Sequence, residues 1–339
     1  MNGKTGILLI NLGTPEATSY WPMRRYLKEF LSDQRVIEAN RAVWWLVLNG
    51  IILTVRPKKS GHAYAQIWNR ERNESPLKTF TRAQAEKLAA RLAENSADKP
   101  IVVDWAMRYG QPAIADGLKR LQESGCERIL IFPLYPQYSA TTTASVFDKV
   151  ADAMRELRWQ PTLRFVPPFY HHQRYIDALA QTTQRHLESL DWQPEKIVVS
   201  YHGLPQDYIE KGDPYYDHCL ETTRLLREKM GETDDRMITT FQSRVGRKEW
   251  IKPYTDATIA ELAARGIKNL MLVSPAFISD CVETLEELSI GLAQEFTNAG
   301  GDNFSVAPCL NDSDISIDML AAISKDELKG WIEIDLSHG

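Results

Sequence analysis

One histidine, one pair of glutamates and several aromatic and basic residues are the side chains here whose type and setting suit chemistry. His202 closes the run Ile197-Val198-Val199-Ser200-Tyr201-His202, and Gly203 and Pro205 then break the pattern. Three β-branched residues followed by such a break predict a short buried strand that delivers the imidazole into a loop at its carboxyl end. Ligands of open α/β sheets bind outside those ends, and imidazole moves protons near neutral pH. The competing reading is a histidine that only satisfies loop backbone. Glu283 and Glu287 stand four residues apart after the apolar run Leu270–Val273. Asp280 is expected to cap a helix there, with Val282, Leu285 and Leu288 facing the core and the two carboxylates sharing one face. Carboxylates so placed repel unless a cation or a proton lies between them, which suits a hard cation. A solvated acidic face near a helix N-terminus is the alternative. At a strand end opposite His202, Glu283 becomes its expected partner.

Two further segments have a chemical cast. Val43-Trp44-Trp45-Leu46-Val47-Leu48-Asn49-Gly50-Ile51-Ile52-Leu53-Thr54-Val55 is the most apolar stretch, with Arg41 before it and Arg56, Lys58 and Lys59 after it. It falls short of the roughly 20 apolar residues that span a bilayer. Tryptophans with basic flanks suit an interfacial element or the lip of a greasy cleft, and a plain core helix is the alternative. Pro133 to Ser145 reads as a loop rich in aromatic and hydroxyl side chains at a strand end. Its hydroxyls either cap the helix expected from Ser145 to Met154 or bind an anion.

The elements that must position these groups fall into two similar halves. Ile7-Leu8-Leu9-Ile10-Asn11-Leu12-Gly13-Thr14-Pro15 aligns with Ile197 to Pro205, which sets Leu12 against His202. Trp105-x-x-Arg108-x-Gly110 aligns with Phe241-x-x-Arg244-x-Gly246, and Gly125 to Pro133 with Gly266 to Pro275. Each match is an apolar run closed by Gly or Pro, the mark of a buried strand feeding a loop. Helical spacing appears between them, over Thr81 to Glu94 and Thr255 to Arg265. Strands alternating with helices predict an α/β protein: two similar Rossmann-like domains, each a parallel sheet flanked by helices, with the site in a cleft between them. The expected boundaries are 1–165, with the apolar lip at about 40–60, then 166–311 carrying His202 and Glu283, and a tail at 312–339 that packs back on the body.

Composition narrows the function classes. A chain of 339 residues exceeds one ordinary core. Its 43% hydrophobic and 25% charged content is that of a globular protein, and a net charge of −5 argues against nucleic acid as a partner. The four cysteines form no CxxC pair, which fits a reducing cytosol better than a zinc site or a disulfide framework. The apolar run Ile7–Ile10 is too short for a signal peptide. Together these place the protein in the cytoplasm, with peripheral contact at the inner face of a membrane through the apolar lip.

Taken together, the segments resemble the ferrochelatase family, bacterial type, over nearly the whole chain. The most specific matches are Ser200-Tyr201-His202-Gly203-Leu204-Pro205 with Gly212-Asp213-Pro214-Tyr215, and Ser279-Asp280-x-x-Glu283-Thr284-Leu285-x-Glu287-Leu288. Supporting matches are Arg108-Tyr109, Tyr135-Pro136-Gln137-Tyr138-Ser139 and Gln242-Ser243-x-Val245-Gly246-x-x-x-Trp250. The resemblance implies a lyase that inserts ferrous iron into protoporphyrin IX to form protoheme, with iron as substrate and no tightly bound organic cofactor. It implies His202 as proton acceptor and metal-side group, Glu283 as its acidic partner and iron-binding carboxylate, and Glu287 behind them. Tyr138, Arg108, Tyr109 and Trp250 are expected to line the porphyrin pocket, and Ser75 and Arg56 to meet the propionates. Three positions depart from the pattern. Cys281 stands where many members carry histidine. Ala140 fills a loop position, and no cysteine follows Cys309, so no iron-sulfur cluster is expected. Gly291 interrupts a line that other members continue with acids. The competing functions are a coproporphyrin or other tetrapyrrole chelatase, and a non-catalytic carrier holding haem through His202.

Overall fold

The computed structural model describes residues 3–93, 101–246 and 248–332. The chain divides into two units, one of residues 1–134, 140–167 and 312–339, the other of residues 135–139 and 168–311. The first is built on strands β1 (Lys4–Thr14), β2 (Ile101–Gly110), β3 (Cys126–Pro133) and β4 (Thr162–Phe165). The second is built on β5 (Lys196–His202), β6 (Met237–Gln242), β7 (Asn269–Val273) and β8 (Asn303–Val306). Both sheets are wholly parallel, with strand orders β2-β1-β3-β4 and β6-β5-β7-β8. The two halves therefore share one topology.

The central strands explain the apolar runs. Ile7 to Ile10 and Ile197 to Val199 have no exposed surface, as expected of parallel strands covered by helices on both faces. Above the second sheet Ile259 and Leu262, from the helix Thr255–Ala264, join Leu270, Leu272, Leu288, Leu292 and Phe296 around Val198. Gly125 and Gly266 enter β3 and β7 with φ of 85° and 93°. Their equivalent positions need the same left-handed turn, which costs glycine little.

Pairing register corrects one of the three internal matches. Asn11 pairs with Met107 and Tyr201 with Phe241, so Met107 and Phe241 are equivalent. The aromatic-x-x-Arg-x-Gly alignment set Trp105 against Phe241 and is two residues out of step. Loop geometry agrees with the pairing: the Met107 amide donates to the Pro112 carbonyl at 2.7 Å and the Phe241 amide to that of Pro253 at 2.8 Å. The connection is longer in the second unit, and its extra residues include Ser243 and Trp250.

Two helices differ from their sequence reading. The helix expected from Thr81 begins at Pro76 and runs to Ala93; Glu94 lies outside the described residues. Proline suits the first helical position, and Ser75 caps it by accepting the Lys78 amide at 3.3 Å. The carboxylate-bearing segment Glu283–Leu292 is a π-helix, with Thr284, Leu288 and Leu292 buried. The expected stripe of Val282, Leu285 and Leu288 is thereby replaced: i→i+5 bonding widens each turn, so that every fourth residue faces inward. Asp280 caps no backbone there; it accepts the Thr284 hydroxyl at 2.8 Å and the Asn311 amide group at 2.6 Å.

Residues 312 onward belong with the first unit. Lys87 donates to the Asp312 carbonyl at 2.7 Å, Arg128 to that of Trp331 at 3.0 Å, and the Arg164 guanidinium lies 4.4 Å from the Trp331 ring centroid. The π-register makes a direct prediction. Leu288→Ala should cost about 2–5 kcal/mol of unfolding free energy in urea titrations, and Leu285→Ala less than half as much. Equal losses would restore the α-helical stripe.

Candidate active site

The candidate site residues of the second unit lie at the carboxyl ends of β5 and β6 and in the segment after β7. His202 is the last residue of β5 and is half-buried, next to fully buried Tyr201. Its Nδ1 lies 2.7 Å from the Gly203 carbonyl. A carbonyl only accepts, so Nδ1 carries a proton, and in the neutral ring the free lone pair is on Nε2. The ring can take a proton or bind a metal through Nε2. Gly203 is required by close approach: a Cβ there would sit 2.9 Å from the Gln242 carbonyl and 3.1 Å from the Trp250 ring. The Trp250 ring centroid stands 6.4 Å from that of His202, inclined at 49°.

Beside His202, Gln242 ends β6 and joins three elements. Ser200 donates to its side-chain carbonyl at 2.7 Å, and its amide reaches the Glu283 main-chain carbonyl at 3.4 Å. The start of the π-helix is thus tied to the strand that carries the histidine. Ser243 follows with φ of 66° and donates its hydroxyl to Glu287 at 2.6 Å. Burial holds the Glu287 carboxyl above the usual carboxylate range; Ser243 and His202 pull it down, and the charge of Glu283 pushes it up. His202, Glu283 and Glu287 therefore share one electrostatic neighbourhood. Burial also keeps the Cys281 thiol protonated, its pKa well above the ordinary value, and the charge of Glu283 acts in the same direction. Cys281 is thus a neutral neighbour of the Glu283 carboxylate. No group of three or more His, Cys, Asp and Glu side chains close enough to hold a metal occurs among the described residues.

The other expected site residues have mixed fates. Tyr138 is half-buried in the segment 135–139 of the second unit. Arg56 is half-buried on the helix Leu53–Ile67 of the first. Ser75 is 1% exposed and its hydroxyl oxygen caps the helix that begins at Pro76. Tyr109 has no exposed surface and so presents no face to a ligand. Instead it joins a polar knot in the first unit whose centre, Asp33, no sequence motif marked. Asp33 follows the helix Tyr20–Ser32 and accepts from Ser145 at 2.6 Å, from Tyr109 at 2.8 Å and from Arg108. These hydroxyls and the guanidinium, with the Arg35 amide, hold the Asp33 carboxyl below the usual range against the opposing effect of burial. Arg108 is held further by the Ser145 hydroxyl and carbonyl at 2.6 and 2.9 Å. Its guanidinium also borders a polar depression of about 630 Å³ lined by Glu29, Asp33, Arg35, Arg41 and Asp148 among others, which is poor lining for an apolar macrocycle.

Two parallel sheets of one topology, with the reactive groups at the strand ends, make this the fold of the metal chelatases. SirB from Bacillus subtilis with Fe3+ superposes with a TM-score of 0.56 at 12% identity, over 96% of this chain and 95% of that one. CbiX, the terminal enzyme of siroheme biosynthesis in denitrifying bacteria, does so with 0.51 at 15% identity, over 95% and 98%. At such identities the likeness is one of fold. Sequence goes further: the ferrochelatase family profile matches residues 4–328, and the chain belongs to that family. Relatives named ferrochelatase are 56% identical over 329 residues in Chelativorans sp. strain BNC1, covering 97% of this chain and 92% of the relative, and 54% identical over 331 residues in Agrobacterium fabrum, covering 97% and 95%.

The Asp33 knot is open to test by stability. Asp33→Ala should cost about 3–5 kcal/mol, because it strands a mostly buried guanidinium. Adding Arg108→Met should recover a good part of the loss in urea titrations. A double variant no better than the single one would mean that Arg108 does not depend on Asp33.

Proposed function

We infer that His202 and Glu283 carry the ferrochelatase reaction in this chain, in which ferrous iron enters protoporphyrin IX and two pyrrole protons leave. The observation that supports this most is the placing of His202 at a strand end, with Nδ1 engaged by the Gly203 carbonyl and the Glu287 carboxylate within electrostatic reach of the ring. Metallation has three physical needs: a held macrocycle, an acceptor for its N–H protons, and ligands onto which hydrated iron sheds water. His202 Nε2 is the acceptor. Glu283 offers the carboxylate oxygen on which iron waits. As Fe²⁺ replaces two protons, the charge of the macrocycle and its metal is unchanged, so the site needs no counter-ion for the product. Glu287, more readily protonated than an exposed acid, is a second stopping place for a departing proton.

Trp250 and Tyr138 give the ring aromatic contact in this reading. Arg56 remains the partner for a propionate, because charge-assisted bonds to carboxylates favour arginine. Arg108 and Tyr109 are engaged by Asp33 within the first unit. Replacing His202 with alanine should lower turnover by roughly 10²–10⁴, the usual loss with a general base, while free-base porphyrin still binds within a few-fold of the native affinity. Glu283→Gln should lower turnover or raise the iron requirement far more than Glu286→Gln. Near-normal turnover of His202→Ala, or equal effects at the two glutamates, would overturn the assignment. Continuous turnover also separates this reading from a haem carrier, which shifts the Soret band only stoichiometrically. Side-by-side rates with protoporphyrin and coproporphyrin test the choice of macrocycle.

The lip reading concerns the surface of the first unit. Among the described residues no helix is long and apolar enough to cross a membrane. Trp21, Val43, Trp45, Leu46, Ile51 and Val55 are each more than half exposed. Trp44 differs: its indole N–H donates to the Leu31 carbonyl at 2.7 Å and anchors the segment. Peripheral binding to anionic lipid is the reading these exposed side chains and the basic residues Lys58 and Lys59 support. Trp45→Ser with Leu46→Ser should weaken co-sedimentation with anionic liposomes and leave turnover of detergent-dispersed porphyrin intact. Unchanged co-sedimentation would rule the lip out.

A further inference from the structure

Residues 135–139 follow a strand of the first unit yet belong to the second. What fastens them is visible at three consecutive positions. Gln137 donates its amide to the Thr222 hydroxyl at 3.0 Å, the Tyr138 backbone N–H donates to His218 Nδ1 at 3.2 Å, and the Ser139 hydroxyl donates to Asp213 at 2.9 Å. Thr222 and His218 lie on the helix Tyr215–Met230, and Asp213 just before it. The middle bond is the one made by a ring that titrates. His218 is also stacked on Tyr170, with ring centroids 3.7 Å apart and planes inclined at 12°, which leaves the imidazole little freedom to turn away.

We propose that neutral His218 is a positioning residue for porphyrin binding: its Nδ1 lone pair holds the Tyr138 backbone, and protonation releases it. The inference rests on the reading that Tyr138 contacts the macrocycle. Its chemistry is simple. A backbone amide only donates, so Nδ1 must be unprotonated for the bond to exist, and the ring proton then sits on Nε2. Imidazolium presents N–H groups on both sides, and two donors would face each other at Tyr138.

The surroundings set where that happens. Burial lowers the pKa of His218, neighbouring His171 lowers it too, and Asp213 and Asp217 oppose them; the net direction is down. The bond is therefore complete at and above the ordinary histidine range and is lost as the pH falls through the lowered value. Porphyrin binding should weaken on the acid side only. Asparagine places its side-chain oxygen near the site of Nδ1 and does not titrate, so His218→Asn keeps the acceptor and removes the switch.

Two measurements on the full chain test this. In protein labelled with 15N-tyrosine, the Tyr138 amide resonance should move between about pH 8 and pH 5 in the native chain and stay still in His218→Asn. Over the same range the porphyrin KM of the native enzyme should rise about tenfold, roughly the worth of one hydrogen bond, relative to that of His218→Asn. His218→Ala should have the raised KM at every pH with kcat nearly unchanged, a split that a merely structural loss would not produce. An amide that does not titrate, or a His218→Asn enzyme that keeps the native pH profile of KM, overturns the proposal. The underlying reading has its own check. If Tyr138→Ala binds porphyrin normally while the amide still titrates, Tyr138 is not a porphyrin contact, although the switch at its backbone stands.

Discussion

Burial of β5 on both faces is the constraint on which the site depends. Ile197, Val198, Val199, Ser200 and Tyr201 have no exposed surface, so neither the strand nor its register can shift without opening the core. A one-residue slip would send every side chain to the opposite face. His202 is the first residue at which the packing relaxes, and the imidazole inherits the rigidity of the strand behind it. The same holds for its neighbours, because Gln242 ends the adjoining strand and the π-helix follows the strand on the other side.

Buried polar side chains, rather than further apolar packing, then fix the angles. Ser200, Gln242 and the Glu283 carbonyl form one chain of bonds; Asp280, Thr284 and Asn311 form another at the entry to the π-helix. Such groups are costly when unpaired and directional when paired, which makes them good at aligning elements. Asp33 does the same in the first unit for Arg108, Tyr109 and Ser145. Several residues expected at the porphyrin pocket, Ser75, Arg108 and Tyr109, are engaged here in hydrogen bonds within the first unit.

The two halves show how one topology supports unequal chemistry. Both return the chain after the second strand through the same amide-to-proline bond, yet the second half lengthens that loop and fills it with Ser243 and Trp250. Leu12 takes the place of His202 in the first half. The acidic π-helix after β7 likewise supplies Glu283 and Glu287 to one sheet only. The wider π turn brings Leu288 and Leu292 to the core, and burial of Glu287 beside Glu283 follows from the same geometry.

Much of the fold was legible in the residues themselves. Apolar runs closed by Gly or Pro marked β1, β3, β5 and β7, because a strand buried on both faces is apolar at most positions. The repeat of those runs announced two similar parallel sheets, and His202 and Glu283 stood out as candidates because the sequence pattern around each is local. Register across β2 and β6 was beyond reach, since edge strands with half-buried residues carry a weaker pattern; the aromatic-x-x-Arg-x-Gly match slipped by two for that reason. The π-helix was hidden as well, because the stripe at positions 282, 285 and 288 is wholly apolar, whereas the one at 284, 288 and 292 includes the polar Thr284. Asp33 and His218 lay wholly outside sequence reasoning. Each acts on partners dozens of residues away, and only the folded chain decides which donor an acceptor meets.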